Sequence, residues 1–123
     1  LRGKWIMLTV DSADCGEACN HKLYLMRQIR ISMTKEMNRI ERVMLLRGGA
    51  KLPPELAAKY PGMHVLTGTI DALLQTLGPE ANVNDYIFLI DPVGQIMMRY
   101  VKNPDPAGIR RDLSRLLSVS QVG

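Results

Sequence analysis

Cysteine is scarce: Cys15 and Cys19 are the only two in 123 residues. Two thiols exclude a disulfide-rich scaffold and a four-thiolate zinc site. Aromatic residues make up 5%, with one Trp and one Phe, too few for a platform on which single-stranded nucleic acid stacks. No apolar run approaches the ~18 residues that span a bilayer. No block of like charges forms a nucleic-acid-binding tail. Gly48-Gly49 lacks the Gly-Lys-Ser/Thr that completes a phosphate loop, and no Gly-x-Ser-x-Gly elbow occurs. The two histidines, His21 and His64, stand in unrelated contexts, which argues against a histidine-rich metal site.

What remains is ordinary globular material: 46% hydrophobic, 23% charged, net charge +4. The length suits a single domain over residues 1–123. Arg27, Arg30, Arg39, Arg42, Arg47, Arg99, Arg110, Arg111 and Arg115 are dispersed, as solvated helix faces require. Attraction to anionic lipid is the alternative use of that charge. The chain starts at Leu1, and Leu-Arg-Gly-Lys-Trp leads into a strand, so we expect an upstream segment to have been removed.

Lys4 to Val10 is apolar enough for a strand covered on both faces, ending at the turn-forming cluster Asp11-Ser12-Ala13-Asp14. A helix is expected from about Gly16 to Met33. Ala18, Cys19, Leu23, Leu25, Met26, Ile29 and Met33 fall within an arc of roughly 160°. Lys22 and Arg30 interrupt that stripe and are expected to snorkel at its edge. Val43–Leu46, flanked by Arg42 and Arg47 and closed by Gly48-Gly49, is a second strand. Pro53-Pro54-Glu55 opens a short helix that ends near Tyr60-Pro61-Gly62. Met63–Thr67 is a third strand, and Thr69 caps a helix through Leu77 that Gly78-Pro79 stops. Tyr86–Ile90 and Gln95–Val101 form a hairpin about Asp91-Pro92-Val93-Gly94. Asp105-Pro106 starts a last helix, with Ile109, Leu113, Leu116 and Leu117 on one face and Arg110, Arg111 and Arg115 opposite. The order β-α-β-α-β-α-β-β-α predicts an α/β thioredoxin-like fold: a central mixed sheet with parallel βαβ units, a C-terminal β-hairpin and a closing helix. The eight methionines, among them Met7, Met26, Met44 and Met97, read as core filler.

Cys15-Gly16-Glu17-Ala18-Cys19 falls at the junction of the first strand and first helix. Four residues of helix put the two Cα atoms roughly 6 Å apart, within disulfide range. The helix N-terminus favours the Cys15 thiolate, whereas Asp14 and Glu17 oppose it, so moderate activation is expected. A pair so spaced also occurs as plain core hydrophobes. The position after a polar turn favours an accessible, reactive Cys15. Asp11 and Asp14 serve as proton acceptors or caps, with capping favoured for Asp14.

This C-x-x-x-C at the start of a long helix, with Leu66-Thr67-Gly68-Thr69 and Phe88-Leu89-Ile90-Asp91-Pro92-x-Gly94, resembles the Sco/SenC group. Met97-Met98-Arg99-Tyr100, Pro104-Asp105-Pro106 and Asp112-Leu113-x-Arg115-Leu116-Leu117 resemble small membrane-anchored Sco-related proteins associated with cytochrome c oxidase genes in proteobacteria. The resemblance implies a thioredoxin fold and a copper site of Cys15, Cys19 and one histidine. That histidine would fall at Val83, or at Tyr86 in the shorter relatives; neither is histidine, and Asn20 replaces the proline after the second cysteine. His21 should point away from the pair, and His64 lies on another strand. The resemblance also implies an N-terminal membrane anchor and a place on the periplasmic side of the inner membrane.

Three functions follow. The first is a thiol–disulfide or assembly protein aiding oxidase copper-centre maturation, with Cys15 attacking and Cys19 resolving. Its partner would be an oxidase subunit or copper chaperone carrying a cysteine pair or copper site. The second is a Cu(I) chaperone with Cys15 and Cys19 as metal ligands. The third is a docking module with a structural disulfide. A pair able to form a disulfide suits an oxidising compartment such as the periplasm. No nucleic-acid partner is expected, and the soluble part should be a monomer.

Overall fold

The structure, a computed structural model, describes residues 3–48, 51–67, 85–101 and 104–119. Its elements are β1 (Trp5–Ser12), α1 (Glu17–Ser32), a 3-10 segment (Thr34–Arg39), β2 (Ile40–Arg47), α2 (Pro54–Lys59), β3 (His64–Thr67), β4 (Tyr86–Ile90), β5 (Ile96–Val101) and α3 (Pro106–Val119). The sheet order is β3-β2-β1-β4-β5. β1 runs parallel to β2, and β2 to β3; β4 is antiparallel to β1 and β5. This is the mixed α/β thioredoxin-like sheet that the element order predicts. The helix expected between Thr69 and Leu77 lies outside the described residues.

Strand alternation divides the core. Trp5 and Met7 of β1, with Ile87 and Leu89 of β4, pack under Leu25, Met26 and Ile29 of α1 and Ile109, Leu113 and Leu117 of α3. Leu8, Val10, Val43 and Phe88 form a cluster on the other face. A third cluster, Cys19, Leu23, Met44, Leu46 and Tyr60, joins the N-terminal half of α1 to β2. Asp105 caps α3 as expected: its Oδ1 accepts from Ala107 N at 3.1 Å. Among the described residues no helix is long and apolar enough to cross a membrane.

Three local expectations are corrected. β1 continues through Asp11 and Ser12, which pair with Leu46 and Arg47, because the ladder to β2 outweighs their turn preference. Ala18 is exposed although it lies on the apolar arc, since the third cluster begins one residue later. Lys22 does not snorkel: it is 1% exposed, and its ammonium ends inside the protein.

Arg42 is also buried, on the α1 side of β2. Its Nη2 donates to Pro61 O at 2.6 Å, while Nε and Nη1 have no partner. Burial lowers its pKa, aided by Arg30 and Arg27. Tyr100 Oη donates to Asp112 Oδ2 at 2.7 Å and ties the β-hairpin to α3. Burial, with Asp112 as a further cause, pushes its phenol above the usual range.

Candidate functional site

The site forms where β1 hands over to α1. After Ser12 the ladder ends, and Cys15 N donates to Ser12 O at 3.2 Å, folding the Ala13-Asp14 turn back on the strand. Gly16 is the N-cap in extended conformation and contributes no side-chain cap. The expected capping by Asp14 does not occur; its carboxylate instead accepts from Ser12 Oγ. A hydroxyl two residues away satisfies Asp14 before it can reach the helix N–H groups.

Cys15 and Cys19 are joined as a disulfide, with Cα atoms 5.1 Å apart. The two cysteines differ in exposure, although Cys15 also packs against the cluster that holds Cys19. Cys19 is 3% exposed, in the cluster with Leu23, Met44, Leu46 and Tyr60. Cys15 is half-buried and lines a groove of about 310 Å³ with Asp14, Asn20, Pro53, Leu56 and Lys59. Next to it an open shelf carries His21, Tyr24 and Tyr60, and shares Asn20 and Lys59 with the groove.

Asn20 and Lys22 hold the site, and sequence reasoning gave neither that role. Asn20 Nδ2 donates to Cys15 O at 3.1 Å and to Gly16 O at 3.2 Å, so the amide closes the turn over the disulfide. Asn20 O accepts from the Tyr60 hydroxyl at 3.4 Å, and burial raises the Tyr60 pKa. Lys22 Nζ lies 3.1 Å from Asp11 Oδ2 and donates to Val10 O at 3.3 Å. The proton-acceptor and capping roles weighed for Asp11 therefore yield to an ion pair beneath the first turn of α1. The signal for Lys22 was present: it sits three residues after Cys19 and four before Met26, on the stripe itself.

The remaining sequence candidates are His21, His64, Val83 and Tyr86. His21 is exposed on α1. His64 opens β3 beside Val43, which pairs with Leu8, so it stands roughly 13 Å along the sheet from Ser12. Its Nε2 lies 3.3 Å from Glu41 Oε2. Val83 lies outside the described residues. Tyr86 opens β4, one position beyond the Thr9–Ile87 pair. Its ring packs on the face away from Cys19, 5.8 Å from Phe88, with the Arg99 guanidinium 5.2 Å from its centre.

The profile of a family described as "Transmembrane-like, thioredoxin-like, C-terminal domain" matches residues 5–120. The chain belongs to this family. No curated protein matches it at a significant level. Among solved structures, this thioredoxin-like chain is similar to yeast Sco1 with copper bound, at TM-score 0.77 and 16% identity over 97% of this chain and 81% of that one. Arabidopsis thaliana ScoI with copper bound gives 0.75 and 16%, over 98% and 87%. A SCO1/SenC family lipoprotein from Bacillus anthracis gives 0.67 and 18%, over 95% and 83%. At these identities the likeness establishes the thioredoxin-like fold that Sco proteins share.

Two of those structures hold copper. Among the described residues no three His, Cys, Asp or Glu side chains are grouped to hold a metal. The two sulfurs are bonded to each other, His21 is exposed on α1, and His64 lies against Glu41. The described donor set does not fit a three-ligand copper centre.

Proposed function

We propose that this chain is a Sco-like thiol–disulfide exchange protein of the cell envelope that prepares the cysteines of a copper-site partner. The observation that carries this reading is the asymmetry of the disulfide: one sulfur at a groove, the other in the core. A partner thiolate attacks Cys15 Sγ, a mixed disulfide forms, and the Cys15–Cys19 bond breaks with its electron pair on Cys19. The partner's second thiolate then attacks the partner sulfur bonded to Cys15, and Cys15 departs as a thiolate. The partner leaves oxidised and the chain is reduced by two electrons; the reverse sequence reduces the partner. Such a pair suits an oxidising compartment, and with the fold likeness to Sco proteins we infer a periplasmic, membrane-anchored protein. We take the partner to be an oxidase subunit or a copper chaperone. Cys15 is the attacking residue in the reduced state and Cys19 the resolving one.

Single-cysteine variants test this. With a single-cysteine peptide activated as its thionitrobenzoate disulfide, Cys19→Ser is expected to accumulate a peptide adduct on Cys15, because thionitrobenzoate departs and no second thiol is left to resolve the mixed disulfide. Cys15→Ser should trap at least tenfold less, its one sulfur being buried. Equal trapping by the two variants, read by intact mass, would remove the assigned order. The copper in the yeast and Arabidopsis neighbours favours a second reading, in which reduced Cys15 and Cys19 hold Cu(I) linearly as cargo. A Cu(I) titration of reduced protein decides it: uptake lost in Cys15→Ala supports cargo, and no uptake at micromolar copper ends it.

A further inference from the structure

We infer that Lys22 is the group that stabilises the charge formed on Cys19 when the disulfide opens, an inference that rests on the exchange reading above. An external thiolate reaches only Cys15, so Cys19 is the leaving sulfur. As the Cys15–Cys19 bond breaks, Cys19 takes the electron pair and becomes a thiolate in a cluster of Leu23, Met44, Leu46 and Tyr60. An anion formed among such side chains has no water to solvate it. Lys22 lies one helical turn on, at i+3, where Cβ atoms stand about 5–6 Å apart. It is 1% exposed and clamped by Val10 O and Asp11, so its ammonium is fixed before the reaction begins. A preorganised charge aimed at a developing anion lowers the barrier without reorganisation.

Asp11 is the counter-charge. It belongs to β1, opposite Leu46, and its side chain is 14% exposed against 1% for Lys22. The ammonium is therefore the more deeply buried of the two charges. The other charged or titratable groups at this end include Asp14, Glu17, His21, Tyr24, Arg27, Glu55 and Lys59, all exposed. From β2 come buried Arg42 and exposed Arg47, and after α2 the buried Tyr60 phenol. Among these, Lys22 is the cation buried on the same helix face as Cys19. The role is one of positioning charge: Lys22 acts on the leaving sulfur and forms no bond to the partner.

The test is the second-order rate at which dithiothreitol reduces the oxidised chain at fixed pH, with folding checked by circular dichroism. Lys22→Gln keeps a donor for Val10 O but loses the charge, and is expected to slow reduction about tenfold. Lys22→Arg keeps the charge and should stay within about twofold of the parent. A Lys22→Gln rate within twofold of the parent, or Lys22→Arg as slow as Lys22→Gln, overturns the inference. If Lys22→Gln does not fold, Lys22→Met with Asp11→Asn replaces it, since that pair of changes leaves no buried charge. It must also be slower than the parent, and an equal or faster rate overturns the inference. Failure of the exchange reading looks different: the parent would then trap no partner while its dithiothreitol rate kept the same dependence on Lys22.

Discussion

Asp11→Ala is expected to cost about 3–5 kcal/mol of stability, the range found when one member of a buried ion pair is removed. Lys22 cannot move its ammonium to water without leaving the α1 stripe, because it is 1% exposed and surrounded by Val10, Asp11 and the first turns of the helix. A loss of that size is a large share of the 5–15 kcal/mol of a typical domain. It should lower the melting temperature by roughly 10–20 °C. Urea unfolding of parent and variant measures it. Adding Lys22→Met to Asp11→Ala should recover most of the loss, since a neutral, well-packed replacement of an ion pair is often tolerated. A cost below about 1 kcal/mol for Asp11→Ala would show that Lys22 does not depend on that carboxylate.

In the reduced protein, Cys15 is expected to react with iodoacetamide at least about 100-fold faster than Cys19. Alkylation needs the reagent at the sulfur. Cys15 already faces the groove formed with Asp14, Leu56 and Lys59. Cys19 is 3% exposed and must wait for the first turn of α1 to lift from Met44 and Leu46. Local openings of about 3 kcal/mol are common at the end of a helix, and that energy corresponds to the stated ratio. Quenched-flow alkylation with peptide mass mapping reads both sites in one sample. Equal rates would mean that the reduced pair does not keep the asymmetry of the disulfide form.

Much of this architecture was legible because local and tertiary preferences agree. Tyr86–Ile90, Asp91-Pro92-Val93-Gly94 and the Asp105-Pro106 start of α3 carry strand, turn and cap chemistry that the fold uses directly. The cysteine pair was placed at the β1–α1 junction by the same agreement. What escaped the sequence depends on partners distant in the chain. Asp11 and Ser12 look like turn residues until β2 supplies Leu46 and Arg47. Asp14 looks like a cap until Ser12 takes its carboxylate. Lys22 looks like an edge residue because lysine usually is one; its position at i+3 from Cys19 pointed inward, and only a carboxylate at the end of β1 makes that affordable. Asn20 seemed merely a missing proline, yet its amide spans back to Cys15 O and Gly16 O. The 3-10 segment Thr34–Arg39 has no apolar period from which to be read.

Cys15 and Cys19 are expected to form a reversible, two-electron redox pair. Intact-mass measurement after maleimide trapping, across a series of dithiothreitol redox buffers, tests it most directly. A single transition is expected between a species carrying no maleimide and a species carrying two, identical from the oxidised and reduced directions. Two maleimides at every potential, with both thiols free even after mild oxidant, would contradict it.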